Sequence, residues 1–332
     1  MSGVTRRVLL VTLLAVVLYG VFVVYTGMSQ IGSSLARFHA SAFLVALGLA
    51  SLNYLLRFLK WQYYLRRLDI RHVPALDSLL VFLTGFVLTI TPGKLGEVFK
   101  SVVLAKTHDV PIARTAPIVI ADRLTDVIGI VILILLGGGA FPGGLPWALA
   151  GCAAVGVGLL FILWEAPALW ICARWERGNG RLARLAPRLR EALSSLRILA
   201  GPTSLPIPTL LSVVGWGCEG VALYALLAGF GAEVSLPPAV FFYATATLAG
   251  ALVPVPGGLG LVEGMLREEL VHLGGVPQGA ATAAMILVRL ATLWWAVVVG
   301  FLALFILRLR FPAALKGDQD KSGASAAETG MS

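Results

Sequence analysis

The sequence predicts an all-α polytopic membrane protein: about six full transmembrane helices plus two oppositely oriented re-entrant helical hairpins that form an inverted repeat. Three observations carry that prediction. Hydrophobic residues make up 58% of the 332 residues and charged residues only 13%, with a mean hydropathy of +0.89, whereas a soluble domain carries roughly 25% charge. The apolar residues come in runs of about twenty, enough to cross roughly 30 Å of hydrocarbon. Two shorter runs stop at matched Pro-Gly breaks.

In chain order, the first span is Val8 to Thr26, behind Arg6 and Arg7. It starts like a signal peptide, but its core is too long and no small-residue cleavage site follows, so it reads as a retained span. The next spans are about 42–59, 116–138, 147–165, 205–230 and 279–307. Residues 76–91 stop at Pro92-Gly93, and residues 239–253 stop at Pro254-Val255-Pro256-Gly257-Gly258. A short amphipathic helix follows each break, at about 94–106 and 259–273. Each arm is short for a crossing. Each pair is a hairpin turning near the membrane middle, or else two short spans; either way the number of passes is even.

Loop charges set the orientation. Lys60, Arg66, Arg67 and Arg71 share one connection, Lys106 and Arg114 the next, and the 174–197 segment is rich in Arg. The opposite connections hold one cation, Arg37. This positive-inside bias puts both termini in the cytoplasm of a multi-pass cell (inner) membrane protein. Residues 1–312 form a single membrane transport domain, with repeat halves about 42–138 and 205–307, a basic cytoplasmic linker about 166–202, and a disordered polar tail at 313–332. The linker is expected to be an interfacial helix attracted to anionic lipid. Trp61, Trp147, Trp164 and Trp170 suit an interfacial belt.

The two breaks run in step. Pro92-Gly93-Lys94-Leu95-Gly96 is followed by Val110-Pro111 and Arg123; Pro256-Gly257-Gly258-Leu259-Gly260 by Val276-Pro277 and Arg289. From Pro92 to Pro111 is 19 residues and from Pro256 to Pro277 is 21. Three full spans lie between the copies, and an odd number of crossings inverts the second. Inverted repeats with broken helices that meet near the midplane are a transporter pattern. Pro ends the first arm and Gly turns the chain, so the second arm begins with unpaired N–H groups and the positive end of a helix dipole. A phosphate or carboxylate fits there; alternatively Glu97 and Glu263 satisfy those ends themselves.

Arg57, Asp122, Arg123, Asp126, Glu219 and Arg289 fall within the predicted spans, where a charge costs about 2.5–3.5 kcal/mol and must pair or face a cavity. Arg123 and Asp126 stand three apart and can pair. Arg289 has Glu263 or Glu219 as candidate partners, and by repeat analogy Arg123 reaches Glu97. Such pairs either pin a hairpin or bind a headgroup or coupling ion. Arg57 and Lys60 are expected to snorkel to a cytoplasmic end. The first hairpin carries Lys94 and Lys100 with Glu97, so the inward vestibule is expected to be the more positive.

Net charge is +9, but the cations flank apolar runs, so a membrane surface and no nucleic acid is implied. Cys152, Cys172 and Cys218, and the scattered His39, His72, His108 and His272, form no disulfide framework or metal site, and no cofactor is expected.

The sequence resembles the family named for the transmembrane region of lysylphosphatidylglycerol synthases, a flippase-like group of integral membrane proteins. The matching pieces are Arg57-Phe58-Leu59-Lys60-Trp61, Pro92-Gly93-Lys94-Leu95-Gly96-Glu97, Asp122-Arg123-Leu124-Thr125-Asp126, Pro256-Gly257-Gly258-Leu259-Gly260 with Glu263, and Arg289. Asp122 stands where the pattern has Glu. The resemblance implies movement of lipid between leaflets by a stand-alone member without the soluble synthase domain, hence no enzyme, with a lipid-synthesising enzyme as a partner it allows. The expected headgroup site is Gly93, Lys94, Gly96, Gly257, Gly258, Gly260, Arg123 and Arg289. Glu97, Asp122, Asp126, Glu219 and Glu263 are expected to pair charges or couple to an ion. No Walker-type phosphate loop is present, so energy must come from an ion, potential or lipid gradient. Three rival classes are an enzyme on lipid-linked substrates, a small-solute or ion-coupled transporter, and a non-transporting partner of a lipid-modifying enzyme.

Overall fold

The computed structural model describes residues 38–89, 96–139, 181–253 and 255–312, with isolated positions near residue 35 and between 146 and 157. The expected span 8–26, most of the expected span 147–165, the linker up to residue 180, Gly93, Lys94 and the tail lie outside these residues. Every element among the described residues is helical. Chain order gives α1 Ala40–Arg67, α2 Ala75–Thr84 with a 3₁₀ turn at Gly85–Leu88, α3 Gly96–His108, α4 Ile112–Thr115, α5 Pro117–Gly138, α6 Arg181–Leu199, α7 Pro206–Gly229, α8 Leu236–Leu252, α9 Leu261–His272, α10 Gln278–Arg289 and α11 Trp295–Arg310.

Three helical stretches are long and apolar enough to cross a membrane: α1, α7, and α10–α11 read as one run of 33 residues. Helix α5 has 22 residues, about 33 Å at 1.5 Å per residue, but carries Asp122, Arg123 and Asp126. Helices α2 and α8 are shorter apolar arms, each packed against the helix beyond its break, α3 or α9. Helix α1 outruns its sequence reading of 42–59 and ends with Arg66 and Arg67 in its last turn.

A single shift of 166 positions, the separation of Asn53 from Glu219, relates the two halves. It carries Ala40, the start of α1, onto Pro206, the start of α7, and Val110-Pro111 onto Val276-Pro277. Both of these prolines sit as N-caps in extended backbone, ψ 132 and 140. The equivalent helices α1 and α7 lie antiparallel. The His39 N–H at the start of α1 donates to the Gly229 carbonyl at the end of α7 (3.1 Å). Arg67 at the end of α1 donates to Thr203, just before α7 (3.2 Å). Between them, Asn53 meets its own repeat equivalent, Glu219, as a two-fold contact requires.

Two apolar cores flank this contact, and each joins the halves. One packs Phe241, Phe242 and Leu266 of the second half against Ile130 and Ile134 of α5. The other packs Phe82, Phe86 and Leu104 of the first half against Ala296 and Ala303 of α11. Glycine allows each crossing. A Cβ on Gly137 would stand 2.7 Å from the Pro237 carbonyl oxygen, and one on Gly300 2.7 Å from the Val87 nitrogen, so neither helix could approach so closely with a side chain there. Arg310, at the end of α11, holds Asp77 at the start of α2 (2.9 Å).

Helix α6 packs on α4 and α5. It buries Ser195 and Leu199 and leaves Arg188, Arg190 and Arg197 exposed. Trp61 corrects the interfacial-belt expectation: it is 2% exposed and its indole N–H donates to Ser78 (3.1 Å).

Candidate functional site: a charged cavity between two broken helices

The second break is built by backbone that only glycine adopts readily. Gly257, Gly258 and Gly260 have φ of 60, 68 and 86, the left-handed region where a Cβ is penalised. Helix α9 then starts with orphan N–H groups. Glu263 reaches back to accept from the Gly260 N–H (2.7 Å) and pairs with Arg289 (2.6 Å). Arg289 also donates to the Gly257 carbonyl (2.7 Å). Of the two partners expected for Arg289, it takes Glu263, and Glu263 fills the helix end that a ligand was offered.

At the first break, Arg123 binds both carboxylate oxygens of Glu97, its Nε donating at 2.8 Å. Both Glu–Arg pairs span 26 residues. The shift of 166 therefore holds for the carboxylates and arginines, while the Pro-Gly motifs are out of step by two residues, Leu261 and Val262. The intrahelical pair Arg123–Asp126 does not form, because Glu97 claims the guanidinium.

Asp126 and Asp122 turn instead to α1. Lys60 is 0% exposed, with its ammonium 2.7 Å from Asp122 and 2.6 Å from Asp126, and donates to Ser212 at 2.8 Å. Arg57 stands farther from the same carboxylates, 3.7 and 3.6 Å. It lies over the Trp216 ring, and its buried Nε has no partner. So neither side chain snorkels. Helix α1 continues past the end read from the sequence, which leaves Lys60 two turns inside and facing α5.

Residues on either side of the first break, Thr89 and Glu97, and Gly257 and Gly258 of the second line one cavity of about 120 Å³. Of the site residues named from the sequence, Glu97, Arg123, Glu219, Gly257, Gly258 and Arg289 line it. Gly96 starts α3, Gly260 and Glu263 stand behind the second break, and Asp122 and Asp126 lie beneath Arg57. Gly93 and Lys94 are outside the described residues. Glu219 accepts from Asn53 Nδ2 and Tyr243 Oη. A π turn at Leu290–Trp294 follows Arg289 directly, and its Thr292 carbonyl accepts from Tyr54 Oη.

Sequence reasoning assigned no site role to Arg57, Lys100, Tyr54 or Tyr243, all of which line the cavity. Lys100 is 5% exposed, and its ammonium lies 5.0 Å from both the Trp61 and Phe82 ring centroids. The available signal was helical spacing: Lys100 falls three residues after Glu97, on the face that meets the cavity.

Among known proteins, the chain is similar to UPF0104 membrane protein MJ1078 of Methanocaldococcus jannaschii, 23% identical over 224 residues, 67% of this chain and 94% of that one. It is also similar to two UPF0104 membrane proteins of Methanothermobacter thermautotrophicus, 28% identical over 117 residues and 29% identical over 141. These matches cover 35% and 41% of each chain. The family described as the lysylphosphatidylglycerol synthase TM region matches residues 9–300. With that match spanning nearly its whole length, and with the two Glu–Arg pairs in place, the chain belongs to the lysylphosphatidylglycerol synthase transmembrane-region family of membrane proteins.

Proposed function

We propose that this protein is a lipid translocase, moving a phospholipid or lipid-linked anionic headgroup between the leaflets of the cell membrane. One observation carries it: two broken-helix units, from halves whose first helices are antiparallel, contribute to one small charged cavity. In a bilayer, irregular backbone at depth persists only inside protein or beside a watery cavity, and such paired breaks form substrate sites in transporters of inverted repeats. In this reading α2–α3 and α8–α9 are re-entrant hairpins of opposite orientation, both termini are cytoplasmic, and no bond is made or broken in the lipid.

The size supports a headgroup and not a whole lipid. About 120 Å³ is well below the roughly 300–1,000 Å³ of a site enclosing a drug-sized ligand. The phosphate enters while the acyl chains stay in hydrocarbon. Rocking of one half against the other then changes which leaflet the cavity faces.

The test is reconstitution into liposomes with tail-labelled fluorescent phosphatidylglycerol and an impermeant quencher. Liposomes with protein are expected to expose the inner-leaflet label within the assay, while protein-free liposomes and the Arg123→Ala/Arg289→Ala variant keep it protected. Equal protection with and without wild-type protein, across the lipids of its native membrane, overturns the proposal.

A further inference from the structure

The charges around the cavity compensate one another in pairs, with two exceptions. Arg123 faces Glu97 and Arg289 faces Glu263, and Arg57 with Lys60 faces Asp122 with Asp126. Lys100 has no carboxylate within salt-bridge distance among the described residues; it rests on two rings. Glu219 is 5% exposed and has no Lys or Arg at that distance among them; its oxygens are held by an amide and a phenol. This cation and this carboxyl group, neither with an ionic partner among the described residues, line the same cavity.

The fold does not require either one. The repeat equivalent of Lys100 is Leu266, fully buried in the second core, and the equivalent of Glu219 is the neutral Asn53. A buried charge without a partner is costly, so each is explained by something that meets it during function. Carboxylates and cations of the cluster balance among the described residues. An anion arriving at Lys100 therefore leaves an excess negative charge in a low-dielectric site, unless a cation comes with it.

We propose that Lys100 receives the phosphate anion of the headgroup and that Glu219 takes up a proton with it, so that lipid and proton move together. The inference rests on the translocase reading above. Glu219 is singled out among the cluster's carboxylates because its donors are neutral: protonation there breaks no ion pair. Protonating Glu97, Glu263, Asp122 or Asp126 would each abandon a salt bridge. The charged and titratable groups facing Glu219 are Tyr54 and Arg57 on α1, Tyr243 on α8, Arg289 on α10 and Cys218 beside it on α7. The two arginines act from beyond contact distance, each already turned to its own carboxylates. The location also fits. The Asn53–Glu219 contact joins repeat equivalents, so it lies on the two-fold relation between the halves.

The experiment uses the full chain in liposomes containing tail-labelled fluorescent phosphatidylglycerol, with membrane potential clamped and a pH difference imposed. Wild-type protein is expected to drive the label from the acidic toward the alkaline side, shifting the steady leaflet ratio by up to about tenfold per pH unit, the limit for one proton per lipid. Glu219→Gln is expected to lose this response, its forward and reverse rates becoming independent of the gradient whatever their absolute size. Lys100→Met is expected to lose the preference for phosphatidylglycerol over a labelled glycolipid without phosphate. A second readout needs no transport: adding short-chain phosphatidylglycerol to purified protein in weakly buffered detergent should take up about one proton per bound lipid, and none with Glu219→Gln. Wild-type transport indifferent to pH, a response to a sodium gradient instead, or proton uptake that survives Glu219→Gln overturns the coupling while leaving translocation standing. Absence of any wild-type lipid movement overturns translocation itself.

Discussion

Replacing Lys60 by leucine is the sharpest test of the charge cluster beneath the cavity. Leucine at this position is compatible with the fold, because the repeat equivalent of Lys60 is Leu226, fully buried. What changes is charge. Without the ammonium, Asp122 and Asp126 stay buried with only Arg57, at 3.7 and 3.6 Å, to face them. Removing one partner of a buried ion pair costs about 3–5 kcal/mol, mostly from the charge left behind. Ser212 also loses its bond from Lys60 but keeps Asp126 as acceptor (2.9 Å), so it adds little. The Lys60→Leu protein should therefore unfold about 3–5 kcal/mol more easily in a reversible detergent-denaturant titration.

The compensated variant decides between lost charge balance and lost packing. Position 126 corresponds to Thr292 and position 60 to Leu226. Lys60→Leu/Asp126→Thr removes one charge of each sign and leaves Arg57 with Asp122. Replacing a buried pair by well-packed neutral residues is often neutral or stabilising, so the double variant should recover most of the loss, with a coupling energy of about 2 kcal/mol or more in a double-mutant cycle. Additive costs, or a single-variant loss under about 1 kcal/mol, would refute the buried pair as drawn.

Two further outcomes follow from the packing and the second break. Gly300→Val places a Cβ 2.7 Å from the Val87 nitrogen and 3.0 Å from the Phe86 carbonyl carbon; overpacking of this kind costs about 1–3 kcal/mol, whereas Gly48→Ala meets nothing within 4 Å and should gain about 0.5–1 kcal/mol as a helical Gly replaced by Ala. Thermal melts of both in one detergent check the opposite signs. The swap Glu263→Arg/Arg289→Glu should remain as unstable as Glu263→Ala, because arginine has no oxygen to accept from the Gly260 N–H (2.7 Å); a melt restored to wild type would show that the pair acts by charge alone.

The Glu–Arg locks were legible because an arginine in an apolar span has few places to go. The sequence offered Glu97 to Arg123 and Glu263 to Arg289, and the common separation of 26 residues was present in the letters. It was hidden by alignment on Pro-Gly, which the two extra residues Leu261 and Val262 put out of register. The Asn53–Glu219 contact was invisible for a chemical reason: an amide and a carboxylate do not look like repeat equivalents, although a carboxylate and its amide donor are what a two-fold contact between unlike partners selects. Lys60 and Trp61 were misread for one reason. Ending α1 at residue 59 put both at a membrane surface, where a lysine snorkels and a tryptophan belts, while the helix runs to Arg67 and turns both into the protein. Lys100 was noticed only as a contributor to vestibule charge, since nothing in its local sequence shows that no carboxylate of the described residues comes within salt-bridge distance of it.

The two halves act as controls for each other. The second supplies Leu223, Leu226, Val288 and Thr292 where the first has Arg57, Lys60, Asp122 and Asp126, and all four are buried. The same helices therefore assemble without those charges, and an intramembrane charge costs about 2.5–3.5 kcal/mol to place. What the first half gains is an arginine that its carboxylates hold only loosely, with a free Nε, at the wall of the cavity and above a tightly closed Lys60 pair. Lys60 touches both aspartates (2.7 and 2.6 Å), so Arg57 can leave them without stripping either carboxylate of its nearer cation, although one net negative charge then stays behind. In the proposed reading, an anion entering beside Lys100 meets in Arg57 a second cation that is only loosely held, whereas Arg123 and Arg289 could turn to it only by breaking their closer pairs with Glu97 and Glu263. On the proposal above, the cluster would separate two duties that the sequence reading gave to the same arginines: Arg123 and Arg289, paired with Glu97 and Glu263, would hold the broken helices, and Lys100 with Arg57 would face the anion.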